Sequence, residues 1–157
     1  MMANVFDVAS YILSTKGEMS AVKLQKLVYY SQAWSLAWDE AELFPDEIQA
    51  WAGGPVIPTL YERHRGRFLV NSSMFPPNPE HRLTAAQKDT VDNVLSFYGD
   101  RTAQWLSDLS HLEAPWLEAR SRVHAEPGAF CREVITTAEM AEYYSGLMAS
   151  EPTQAIA

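Results

Sequence analysis

Four histidines and one cysteine carry the readiest chemistry in this 157-residue chain, and none stands in a catalytic or metal-binding pattern. His64, His81, His111 and His124 are scattered, and no two have the short spacing of a shared metal site. His111, Glu113 and Arg120 make one acid–base set, the kernel of an uncharacterised enzyme if they converge. Residues two apart do not share a helix face, however, and the plainer account has His111 packing or capping at a helix end. Cys131 has no companion and reads as a small buried hydrophobe. Gly53-Gly54-Pro55 is no phosphate cradle, because Pro55 removes a backbone donor where one is needed. Arg63-His64-Arg65-Gly66-Arg67 is the one basic cluster. Its guanidinium groups suit a carboxylate or phosphate; otherwise it is a solvated turn. No cofactor or metal is implied, and a binding module is the default reading.

The element that must position these residues is Ser20–Asp39. It has no Gly or Pro and is too long for a strand, so it predicts a helix of about five turns. Ser20 is a natural N-cap, and Met19 with Leu24 is spaced for a hydrophobic staple. From Leu27 onward apolar or aromatic residues, Tyr29 and Trp34 among them, point almost everywhere, which predicts a buried central helix. Lys23, Gln25, Lys26 and Gln32 are the exceptions. They read as its single wet strip, either merely solvated or exposed for a partner.

Around it the spacing predicts helices at Ala3–Thr15, Thr59–His64, Ala85–Tyr98, Arg101–Ser110, Pro115–Val123 and Thr137–Leu147. Thr84 with Gln87 and Thr136 with Glu139 are capping boxes, Asp100 is the expected cap of the fifth of these seven helices, and Trp105, Leu106 and Leu109 are expected inward. Asp46–Trp51 predicts an extended segment paired with Phe68–Val70, and Gly53-Gly54-Pro55 is expected to break any regular element. The fold class is therefore mainly α: a compact single-domain helical bundle around a buried helix, with one small β-hairpin. The domain spans 1–147, and 148–157 is a fraying tail.

Charge and composition narrow the partners. A net charge of −8 argues against direct nucleic-acid binding, which requires neutralising phosphates, and suits a basic partner. No apolar run approaches the roughly 20 residues of a membrane span, and no secretory leader is evident. A cytoplasmic protein is expected.

Four motifs then carry a resemblance: K-L-Q-K-L-V-Y-Y-S-Q-A-W (Lys23–Trp34), W-x-x-G-P-V-x-P-x-L-Y (Trp51–Tyr61), F-Y-G-D (Phe97–Asp100) and L-S-x-L-S-H-x-E-x-P-W-x-x-A-R (Leu106–Arg120). In this order they resemble the Panacea antitoxin domain family, catalogued also as SocA-like or phage-associated GepA-like proteins, from about Val5 to Tyr144. Ala52–Gly53 departs from the bulkier or charged pair common there. The resemblance implies an antitoxin of a toxin–antitoxin system that neutralises a cognate protein toxin, usually encoded next to it, by direct contact. It also implies a stand-alone antitoxin without a DNA-binding domain. Some SocA-like members are thought to present the toxin to a protease, so a proteolytic adaptor is the alternative within this class. The expected partner surface combines Lys23 and Lys26 with Trp51, Gly54, Pro55, Tyr61, Arg63 and Arg65. Leu24, Tyr29, Trp34, His111, Pro115, Trp116 and Arg120 are expected to hold the fold.

Overall fold

The computed structural model describes residues 3–150. Helices α1 (Val5–Lys16), α2 (Ala21–Trp38), α3 (Pro58–His64), α4 (Ala85–Tyr98), α5 (Ala103–Ser110), α6 (Ala114–Arg122) and α7 (Thr137–Ser150) dominate it. Strands β1 (Met19–Ser20), β2 (Ile48–Trp51), β3 (Gly54–Val56), β4 (Leu69–Val70) and β5 (Val134–Ile135) are short. The chain is mainly α, built around one central helix.

That helix is α2. All but four of its 18 residues are buried, and α7, α4 and α1 pack around it. Ser20 caps it by accepting from the Lys23 amide. Trp34 is fully buried, and its indole N–H donates to the Tyr98 hydroxyl at 3.0 Å. Tyr30 stacks on Tyr98 with ring centroids 4.3 Å apart. Local signals hold elsewhere as well. The Thr84–Gln87 box closes in both directions, as does Thr136–Glu139. Helix α1 carries a further box, Asn4 with Asp7, absent from the sequence reading.

Five expectations need correction. Phe68–Val70 does not pair with β2: β4 instead pairs antiparallel with β1, Met19 opposite Val70. Strand β2 lies between β3 and β5, all antiparallel, with Trp51 opposite Gly54 and Ile48 opposite Ile135. Gly53-Gly54-Pro55 therefore turns a hairpin rather than ending regular structure. Gly54 and Pro55 belong to β3, and its edge position tolerates a residue without an N–H. Asp100 does not cap α5; Thr102 does, and Asp100 instead pairs with Lys16 at 2.7 Å. Trp105 is exposed, with Arg101 lying over its ring, rather than directed inward. Helix α7 runs past Leu147 to Ser150, and the rest of the expected tail, 151–157, lies outside the described residues.

Candidate functional site

The polar side chains of α2 are not a wet strip. Gln25, Lys26 and Gln32 are buried, and each satisfies backbone groups of the following segment. Gln32 accepts from the Leu43 amide and donates to the Phe44 carbonyl. Gln25 accepts from the Ile57 amide at 2.9 Å and donates toward the Ile57 carbonyl. The Lys26 ammonium donates to the Pro55 carbonyl at 3.1 Å. A buried polar group without a partner is costly, so the Gln32 bonds hold the segment before β2 against α2, and those of Gln25 and Lys26 hold the β3–α3 connection there.

The hairpin is shaped for this contact. Gly54 has φ +126°, and a β-carbon there would lie 2.7 Å from Lys26 Cε and 3.1 Å from Ser110 Oγ. Only glycine permits both the backbone angle and the approach of the lysine. From the other side α6 grips β2. The Trp116 indole N–H donates to the Trp51 carbonyl at 2.8 Å, and the Arg120 guanidinium donates to Ala50, Glu126 and Ala129 carbonyls. His111 stacks on Trp116, centroids 4.2 Å apart. The second and fourth sequence motifs are thus bonded directly to each other.

Between α2, the hairpin and α3 a cleft of about 480 Å³ opens. Lys26 and Gln25 line its α2 side, Trp51 and Tyr61 stand edge-to-face at 5.0 Å, and Phe68 and Val22 flank it. Phe68 is 77% exposed and Val22 is exposed beside it. His64 is buried within this wall. Gln25 Nε2 lies 3.0 Å from His64 Nε2, and because the Gln25 carbonyl oxygen already accepts from Ile57, that imidazole nitrogen is the acceptor. Burial lowers the His64 pKa, consistent with this neutral ring. Burial also pushes the Lys26 ammonium down to about 8. The same Trp51–Tyr61 pair borders a second, smaller groove with Arg65 and the exposed Phe130.

The expected partner residues are therefore divided. Lys26, Trp51 and Tyr61 line the cleft, and Gly54 and Pro55 support it. Lys23 stands apart, half-buried, in the fields of Lys16 and Asp100. Arg65 lies on the second groove, near Glu62 at 3.6 Å. Arg63 turns away altogether, its guanidinium 4.2 Å over the Phe6 ring and bonded to the Met74 carbonyl. Phe68 was missed as a site residue, while Gln25 was read only as part of a wet strip and His64 only as part of the basic run. Gln25 sits within the first motif, the one signal that marked it; exposure of Phe68 leaves no local trace.

Nor do His111, Glu113 and Arg120 converge as an acid–base set. Glu113 faces the core, where one carboxylate oxygen accepts from the Tyr30 hydroxyl at 2.7 Å and the Tyr144 hydroxyl at 2.8 Å. Tyr144 spends its proton there, so Tyr29 donates to Tyr144 across 3.1 Å. Burial pushes Glu113 up to about 7. Arg120 is engaged by backbone carbonyls, and the Trp116 ring lies against both it and His111. Cys131 is a buried free thiol. Among the described residues no group of His, Cys, Asp and Glu has the arrangement to hold a metal, and no helix is long and apolar enough to cross a membrane.

The family model of the antitoxin SocA-like Panacea domain matches residues 24–117, well over half of the chain, which places it in that family. The match begins within α2 and ends within α6, and it takes in all of the cleft lining except Ala21 and Val22. No curated protein and no solved structure matches the chain.

Proposed function

We propose that this chain, which belongs to the antitoxin SocA-like Panacea domain family, neutralises a cognate protein toxin by direct binding at the cleft between α2, the β2–β3 hairpin and α3. The observation that carries the reading is Phe68, an aromatic side chain 77% exposed at the lip of a cleft walled by Trp51 and Tyr61. Aromatic anchors in a pre-shaped hollow are what dominates binding energy at protein interfaces, and a hairpin bonded to α2 and α6 loses little entropy on binding. The site is held in place by hydrogen bonds to backbone groups, an arrangement suited to recognition. The net charge of −8 steers a basic toxin at long range. The toxin is encoded by a neighbouring gene, and the encounter takes place in the cytoplasm.

Co-expression tests this. A neighbouring reading frame lethal alone and tolerated with the wild-type chain is the expected result, with the two proteins co-purifying. Phe68→Asp is expected to abolish rescue without changing thermal stability. Rescue by Phe68→Asp at wild-type level would move the interface elsewhere. A toxin that disappears during rescue, rather than persisting in a complex, would favour delivery to a protease.

A further inference from the structure

The geometry points to a carboxylate receptor in the cleft: Lys26 takes the chain-terminal carboxylate of the bound protein, and the apolar side chain of that last residue fills the space between Trp51, Tyr61 and Phe68. This rests on the cleft being the partner site.

Lys26 is the reason. It is 2% exposed, yet its ammonium has three donors and one hydrogen-bond acceptor among the described residues, the Pro55 carbonyl. No described carboxylate lies within ion-pair distance of it. A buried charge without a counter-charge is costly, and an apolar side chain of similar length commonly serves a fold as well or better. The charge therefore has a use outside the fold. Its neighbours do not offset it. His64 is held as a neutral acceptor by Gln25, and Gly54 presents bare backbone where any β-carbon would push the lysine aside. The lysine thus lines the cleft with unspent donors.

The walls select which carboxylate. Trp51, Tyr61, Val56, Val22 and Phe68 make the lining mostly apolar. An aspartate or glutamate side chain would bring a charge and nothing to cover those surfaces. A terminal leucine-like residue brings both from one residue, its carboxylate to Lys26 and its side chain to the aromatic wall. Charge-assisted hydrogen bonds in a dry site are the strong ones.

The full chain, labelled with ¹⁵N, is titrated with three probes: N-acetyl-leucine, N-acetyl-leucinamide, and N-acetyl-glutamate α-amide, which carries its carboxylate on the side chain. Expected is saturable movement of the Gly54 and Val56 amide signals with N-acetyl-leucine, and at least about tenfold weaker binding of the other two. Lys26→Met is expected to keep the spectrum of a folded chain and lose the acid's advantage over the amide. Phe68→Ala should weaken acid and amide alike, and it reads the apolar wall even if the lysine variant does not fold. Equal affinity for acid and amide, no saturation with either, or an undiminished preference in Lys26→Met would overturn the receptor. Tightest binding of the glutamate derivative would overturn the chain-terminal assignment. Rescue from the toxin without acid preference defeats this inference and leaves the proposed function standing; acid preference without rescue does the reverse.

Discussion

Lys26 and Gly54 are fitted to one another: the lysine stem occupies the volume that a β-carbon on residue 54 would need, 2.7 Å from its Cε. Helix and hairpin meet through this absence. Gly54→Ala must then both strain the backbone at φ +126° and displace the lysine. A loss of about 2–4 kcal/mol is expected from urea denaturation. Gly53→Ala is the control. Nothing lies within 4 Å of its added carbon, and it should stay within about 0.5 kcal/mol.

Trp34→Ala removes the largest fully buried side chain of α2 and leaves the Tyr98 hydroxyl without its indole donor. The expected cost is about 3–5 kcal/mol. An unchanged denaturation midpoint would contradict the central place of this helix.

Glu113 makes stability depend on pH. Its carboxyl is raised from 4.5 to about 7, burial being the cause. Between these values the folded chain keeps a proton that the unfolded chain has released. The contribution is therefore complete below about pH 4.5 and is lost as pH rises through about 7, up to about 3 kcal/mol in all. Glu113→Gln, which keeps an acceptor for Tyr30 and Tyr144, should flatten the wild-type slope in that window. Identical slopes in the two proteins would show that the carboxyl does not titrate there.

The basic run should separate into two behaviours. Arg65→Glu touches an exposed pair and is expected within about 0.5 kcal/mol of wild type. Arg63→Glu forfeits the Phe6 face and the Met74 carbonyl, and should cost about 1 kcal/mol or more. Thermal melts of the two single variants test this; equal midpoints would mean that Arg63 is as free as its neighbour.

Lys26→Met removes a buried charge whose pKa lies near 8 instead of 10.5. In the wild type the folded chain loses its proton before the unfolded chain does, so stability should rise as pH climbs from about 8 toward 10.5. The methionine variant should lack that rise and be no less stable at pH 7. Denaturation midpoints compared across this range test both statements.

Features that depend on neighbours a few residues away were legible in the chain. Ser20 as cap and the boxes at Thr84–Gln87 and Thr136–Glu139 are i, i+3 relations, and the chain writes them out directly. The burial of α2 was legible too, because from Leu27 onward its apolar and aromatic residues point almost everywhere. Long-range contacts set the rest. Gln25, Lys26 and Gln32 look like a solvent-facing strip in the helix period. They are buried because their polar ends reach backbone groups 11 to 32 residues away, at Leu43, Phe44, Pro55 and Ile57. Strand pairing went the same way. Segments as short as β1 and β4 carry too little pattern to name a partner, and β4 joins β1 because the packing of α3 against α1 and α2 brings the chain back beside the start of α2. A side chain's class and local period say what it can satisfy; only the folded path says which unsatisfied group it meets.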